Sequence, residues 1–179
     1  MEREIRRKSM RLKGYDYATE GAYFLTICTH EKNCFFGSIV NSEMVLSQAG
    51  QIAQSCWLEI PVHFPHVELD YFVIMPNHIH GIITIGAAEK SHIPKSEKLA
   101  ENYGSSTPKG TSKAVGTIVR GFKIGVTKWF RLNSNVLNVW QRNYHDHIIR
   151  DERSLTGIRE YIQNNPLQWD IDKYHPNNS

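Results

Sequence analysis

The apolar positions of this chain repeat with two different periods, and each change of period predicts an element. Side chains alternate along "GAYFLTICTH", residues 21–30, whose β-branched and aromatic content predicts a first strand. "CFFGSIV" and "EMVLS" predict a short hairpin that turns at Asn41-Ser42. In "SQAGQIAQSCWLEIPVHF" the residues Ile52, Ala53, Cys56 and Trp57 fall at helical spacing behind a Ser47 cap, and Pro61 is expected to stop the helix. "VELDYFVIMP" and "HIHGIITI" predict two strands joined at the turn dipeptide Pro76-Asn77.

From residue 86 to residue 112 the periodicity disappears and Gly, Ser, Pro and Lys accumulate, which predicts a long connection inside the domain. A helix is then expected over residues 112–132. Val115, Ile118, Val119, Phe122, Val126, Trp129 and Phe130 share one broad face of it, while Lys113, Arg120 and Arg131 gather opposite with Lys123 beside them. "VWQRNYHDHIIR" predicts a strand over residues 140–150. "DERSLTGIREYIQNN" predicts a last helix with acidic residues at its N-terminus, halted by Pro166.

The order is β, ββ, α, ββ, α, β, α. Helices set apart from antiparallel strands predict an α+β fold, a ferredoxin-like antiparallel sheet with helices packed on it, rather than a parallel nucleotide-binding fold. No GxGxxG, P-loop or internal repeat is present. The length fits one domain, expected over residues 21–170 with an insert at about 87–112, preceded by a basic arm at 1–20 and followed by a short tail at 171–179.

Composition changes this picture little, except in its distribution. No stretch is apolar enough to span a bilayer and the charged N-terminus lacks the apolar segment of a signal peptide, so a cytoplasmic protein is expected. Cys28, Cys34 and Cys56 form no CxxC pair, which argues for reduced, structural thiols and against a zinc ribbon. The net charge of +3 is too small to indicate nucleic acid. The arm "MEREIRRKSMRLKGY", however, concentrates Arg3, Arg6, Arg7, Lys8, Arg11 and Lys13, a density that suits phosphate and also suits a solvated tail. The stripe of Lys113, Arg120, Lys123 and Arg131 has the same two readings: a DNA contact or a solvated helix face.

The candidate chemistry lies in "VIMPNHIHGIITI". His78 and His80 project from the same side of a strand and Ile79 from the other, so two imidazoles converge where valine or leucine would pack at less cost. They fit either half-buried histidines at a sheet rim or a metal site. In the last helix Leu155, Ile158 and Ile162 define a buried stripe, Tyr161 lies about 90° from its centre and Asn165 about 40° from Tyr161. As the residue before proline, Asn165 is expected to leave helical geometry and free its carboxamide. Each of the pair alone fits a structural role, as an interfacial tyrosine and a C-capping asparagine. Together the residues describe a phosphodiester site. Two imidazoles and an amide oxygen offer three ligands to Mg²⁺ or Mn²⁺, and a tyrosine hydroxyl one turn away offers a nucleophile for phosphorus.

At these residues the chain resembles the single-tyrosine HUH transposases, in particular the REP-associated tyrosine transposases and their insertion-sequence relatives. "MPNHIHGI" matches the His-hydrophobic-His motif, "REYIQNNPLQW" the tyrosine helix with its Asn-Pro, and "VWQRNYHDHIIRDE" the segment before it. "RRKSMRLKGYDYATEGAYFLTICT" matches the family's start, so the resemblance spans nearly the whole chain.

The resemblance implies a ferredoxin-like enzyme that nicks and rejoins single-stranded DNA through a 5′-phosphotyrosine, leaving a free 3′-OH. It assigns the nucleophile to Tyr161 and metal ligation to His78, His80 and, four residues after the tyrosine, Asn165. The expected partners are single-stranded or hairpin DNA and a second copy of the chain in a homodimer. The insert departs from the shorter members.

Among rival readings, a histidine-triad hydrolase needs a third histidine where Ile82 stands, and a two-histidine phosphoesterase needs His-x-Ser/Thr motifs that these histidines lack. His145 and His147 form a second pair with no nucleophile tied to it by spacing. A domesticated hairpin-DNA-binding protein without cleavage activity is the alternative from another class, and the intact Tyr161, His78, His80 and Asn165 speak against it.

Overall fold

A computed structural model describes residues 20–86 and 115–178. The arm residues Arg3, Arg6, Arg7, Lys8, Arg11 and Lys13, the insert at 87–112 and Lys113 lie outside the described residues. The fold is α+β: strands β1 (Gly21–Cys28), β4 (Val67–Met75), β5 (His78–Ile85) and β6 (His145–Ile149) form one sheet in the order β4-β5-β1-β6. All three pairings are antiparallel. Strands β2 (Gly37–Val40) and β3 (Glu43–Leu46) form a separate hairpin. Helices α1 (Gln48–Leu58), α2 (Ile60–His63) and α3 (Val115–Asn133) belong to one face of the main sheet, and α4 (Glu152–Asn164) to the other.

Strand alternation divides the chain between these faces. Tyr23, Leu25 and Ile27 of β1 and Ile79, Ile83 and Ile85 of β5 join Ala53 and Trp57 of α1 and the Val115, Ile118, Val119, Phe122, Val126 and Phe130 stripe of α3 in the main core. Ile82, Ile149 and Ile162 form a smaller cluster with Phe24, Leu155, Ile158 and Tyr161 under α4. Gly81 makes the first packing possible: a Cβ there would lie 2.3 Å from the Trp57 ring, which presses on β5. The hairpin turns through Asn41 and Ser42 with φ of 51° and 64°, the paired left-handed geometry that suits a two-residue loop.

Three local expectations are corrected. Pro61 does not end the helical run: Glu59 stays helical and Pro61 opens α2, where its missing N–H is no loss. The strand expected over 140–150 shrinks to β6, and before it the Gln141 and Asn143 carbonyls accept from Lys123 Nζ while the Trp140 indole packs on Phe36 and Phe122 and donates to the Lys123 carbonyl and Thr127 Oγ1. Only an isolated bridge from Trp140 to Thr29 continues the pairing. Asn165 keeps helical angles (φ −60°, ψ −42°) although it precedes proline; α4 does end before Pro166, as expected, and a 3₁₀ turn, Pro166–Ile171, follows it. No described helix is long and apolar enough to cross a membrane.

Candidate active site

His78 and His80 sit at the start of β5, fully buried, on the α4 face. The turn before them explains how they are held. Asn77 is buried, and its Nδ2 donates to the carbonyls of Lys32 (3.1 Å) and Tyr174 (2.8 Å). That fixes the amide, so its Oδ1 must accept from His78 Nδ1 at 2.9 Å. The proton is thereby placed on Nδ1 and the lone pair of His78 Nε2 faces inward. Nothing partners that nitrogen among the described residues.

Thr26, opposite His80 in the β1–β5 register, lies 2.9 Å from His80 Nδ1 through Oγ1. His80 Nε2 is thus also turned to the site, where it lies 3.2 Å from the Tyr161 hydroxyl. Phe24 stacks on His80 at 5.2 Å and meets Tyr161 edge-on at 6.1 Å.

Helix α4 brings the tyrosine. Asp151 caps it by accepting from Ser154 N at 2.8 Å. Arg159 clamps it to β4 through a two-point bond to Asp70, Nε to Oδ1 at 3.1 Å and an N–H to Oδ2 at 2.6 Å. The register slips between Leu69 and Phe72, which re-aims Asp70 toward the helix. Tyr161 therefore stands over the histidines of its own chain. Asn165, one turn on, is fully buried; its Nδ2 donates to Asp172 Oδ2 at 3.2 Å and its Oδ1 has no partner among the described residues.

Burial dominates the electrostatics. It pushes His78 down to about 3 and His80 well below the ordinary imidazole value, so both are neutral at pH 7. Burial, with the charge of Asp172 as a smaller cause, raises the Tyr161 phenol, while the Asn165 carboxamide beside it favours the phenolate. A nucleophilic Tyr161 therefore needs help to lose its proton.

The sign of the histidine shifts sets an acid sensitivity. Unfolded, each imidazole titrates near 6.5, so below that pH the unfolded chain binds protons that the folded one refuses. Stability of the metal-free protein is complete above pH 6.5 and is lost as pH falls toward about 3, by up to ~1.4 kcal/mol per pH unit per histidine. Urea midpoints in chelator should fall from pH 7 to pH 5. An unchanged midpoint would mean that these imidazoles are not neutral and buried.

Two histidine Nε2 atoms with their Nδ1 atoms already engaged, beside an orphaned buried amide oxygen, fit a divalent ion. Asp172, buried at 7% exposure, adds a carboxylate that the sequence reading missed. The ligand atoms of His78, His80 and Asp172 lie within 4.8 Å of one another, the one such group among the described residues. A signal was present: Trp169 and Asp172 are three apart, one 3₁₀ turn, and both face inward. The segment expected as a tail is tied down by Asn77 and by Lys32, whose Nζ donates to the Lys173 carbonyl at 3.2 Å.

The site opens to a pocket of about 350 Å³ lined by Phe24, His80, Tyr161, Gln168, Asp172 and Lys173, among others. His145 and His147 share the same sheet face, opposite Thr26 and Phe24, but both are exposed and join no described metal group.

A larger groove of about 670 Å³ lies along α3, lined by Arg120, Lys123, Lys128, Arg131, Arg142 and Tyr144 among others. Arg120 and Arg131 are exposed. Lys123 is not a free cation: its Nζ donates to the Gln141 and Asn143 carbonyls at 2.8 and 3.0 Å, and burial lowers it to about 8.

A ferredoxin-like sheet thus carries two histidines on one face with the tyrosine helix over them. The chain shares its fold with a solved REP-associated tyrosine transposase. A protein of Haemophilus influenzae with no characterised function is 50% identical over 171 residues, 94% of this chain and 93% of that one. A second protein of that organism, whose name assigns it by inference to the REP-associated tyrosine transposases, is 22% identical over 153 residues, 86% of this chain and 74% of its own. The solved structure of a REP-associated tyrosine transposase bound to a REP hairpin superposes with a TM-score of 0.61 at 17% identity, covering 92% of this chain and 77% of that one. No family model matches the chain.

Proposed function

We propose that the protein is a metal-dependent single-stranded DNA transposase and endonuclease that nicks and rejoins DNA at hairpin-associated sites through a covalent 5′-phosphotyrosine on Tyr161. The observation that carries this reading is the Tyr161 hydroxyl 3.2 Å from His80 Nε2, beside the buried and unpartnered His78 Nε2 and Asn165 Oδ1. Mg²⁺ or Mn²⁺ held by His78, His80 and Asn165 would supply electron withdrawal from the scissile phosphate and favour the phenolate. The chain's own residues do the rest. Tyr161 bonds phosphorus as the P–O3′ bond breaks, the phenolic proton leaves to solvent through the pocket, and the departing 3′ oxygen takes a proton from solvent to become the hydroxyl. Phe24 and the Arg159–Asp70 clamp hold the ring over the site. Reversal, with the 3′-OH attacking the phosphotyrosine, reseals the strand without a nucleotide cofactor.

A nicking assay on single-stranded hairpin DNA with Mg²⁺ or Mn²⁺ tests this. Binding with no cleavage under either metal would favour the domesticated DNA-binding alternative.

DNA is held, in this reading, by the basic arm and the α3 groove. No Asp or Glu interrupts the run from Val115 to His145, so nothing along it repels phosphate. Each phosphate neutralised adds about 0.7–0.9 to the slope of log affinity against log salt. Arg120→Ala and Arg131→Ala should each flatten that slope by roughly this amount, and deletion of residues 1–13 should flatten it further. Lys123→Ala should leave the slope nearly unchanged while lowering stability, because its ammonium already serves two carbonyls. Equal slopes in the arginine variants and the parent would remove the groove from the DNA path.

A further inference from the structure

We infer that Asp172 is a fourth donor of the metal site, the carboxylate that fits it for a hard divalent ion. The inference rests on the metal reading above. A carboxylate is rarely buried without a cation to face. Asp172 is 7% exposed, yet no ion pair among the described residues involves it. Its bonds are to neutral donors: Oδ1 accepts from Tyr174 N at 2.6 Å and Oδ2 from Asn165 Nδ2 at 3.2 Å. The charge faces two neutral imidazoles, each with a ring nitrogen that lies with it inside 4.8 Å. Donors about 2.1 Å from one ion stand roughly 3.0 Å apart when adjacent and 4.2 Å when opposite, so a bound ion would draw this group closer together.

Chemistry gives the carboxylate a distinct task. Two imidazoles and one amide carry no negative charge, a set that suits zinc or nickel as well as manganese. An anionic oxygen shifts the preference toward Mg²⁺ and Mn²⁺. Among the described residues lining the pocket Asp172 is the only carboxylate, and Lys173 beside it opposes cation binding. Asp172 also aims a neighbour: by accepting from Asn165 Nδ2 it holds Asn165 Oδ1 turned away from itself, buried and unpartnered. The Trp169 carbonyl, which accepts from Asp172 N at 3.0 Å, sets the residue at the end of the 3₁₀ turn. The chain after the tyrosine helix thus becomes part of the active site.

The test is Mn²⁺ and Mg²⁺ affinity of the full-length protein, by calorimetry and by electron paramagnetic resonance of Mn²⁺, with thermal unfolding in chelator as a control. Asp172→Asn should weaken Mn²⁺ by at least about tenfold and Mg²⁺ by more, without lowering the metal-free melting temperature. A residue that only aims Asn165 would have no further effect once Asn165 is removed. Asp172→Asn added to Asn165→Ala should therefore weaken Mn²⁺ again by about tenfold, and a double variant equal to Asn165→Ala overturns the donor role. Should Asp172→Asn fail to fold, Asp172→Ser keeps an acceptor for Tyr174 N without the charge and is expected to show the same loss. A parent protein that binds neither ion would overturn the metal reading itself, whereas unchanged affinity in the variants overturns this inference alone.

Discussion

Tyr161→Phe is expected to leave a folded, DNA-binding protein that forms neither a nick nor a covalent adduct on single-stranded hairpin DNA. Phenylalanine keeps the ring in the small cluster under α4, with its edge on Phe24. It removes the oxygen 3.2 Å from His80 Nε2, a single bond worth about 1 kcal/mol, so the melting curve should barely move. The chemical step should fall by at least about a thousandfold, roughly 4 kcal/mol of barrier, because no other atom of the side chain can bond phosphorus. With the parent protein, a labelled strand should give a denaturation-resistant adduct carrying the DNA 3′ of the cut. Tyr174 is the nearest rival, its ring 4.6 Å from that of His78, but burial raises its phenol further than that of Tyr161. Peptide mapping decides between them, and DNA on Tyr174 would sink the assignment.

Loss of the metal should be as severe. Cleavage should vanish in EDTA and return with Mn²⁺ at lower concentration than with Mg²⁺, since imidazole suits manganese better than the harder magnesium. His80→Ala should abolish cleavage in either ion while hairpin binding stays largely intact. The groove proposed to hold DNA lies along α3, on the sheet face opposite Tyr161, and shares no residue with the pocket beneath it. Some stability is expected to go with the ring, which stacks on Phe24 and bonds Thr26. Assays therefore belong at a temperature where circular dichroism shows the variant folded. Retained cleavage in folded His80→Ala, or full activity in chelator, would remove the histidines from the chemistry.

How much of the site was legible follows from what periodicity encodes. A strand repeats every two residues and a helix every 3.6, so the shared face of His78 and His80 and the neighbourhood of Tyr161 and Asn165 could be read from spacing alone. The Ser47 cap was legible for the same local reason: its Oγ accepts from Gly50 N, three residues on. Local rules also misled. Residues before proline usually leave the helical region, yet Asn165 stays in it, because its amide is bonded to Asp172 and the chain tightens into a 3₁₀ turn. The strand expected over 140–150 had the right composition, but the carbonyls of Gln141 and Asn143 are taken by the Lys123 ammonium, a contact from α3 that the local pattern does not encode.

What only the tertiary structure decided are the contacts between segments far apart in the chain. Thr26 meets His80 across 54 residues, Arg159 meets Asp70 across 89 and Asn77 meets Tyr174 across 97. None has a local signature, since each pair is made by strand register or by the landing point of α4 on the sheet. Asp172 belongs with them: a short 3₁₀ segment has too few turns for its pattern to rise above chance. By itself the sequence determined the elements, their apolar faces and the two halves of the chemistry, because these depend on neighbours within a turn or a strand. Packing determined that the halves meet, which nitrogen of His78 is free, and that a carboxylate from the end of the chain lies between them, because those depend on which surfaces exclude water together.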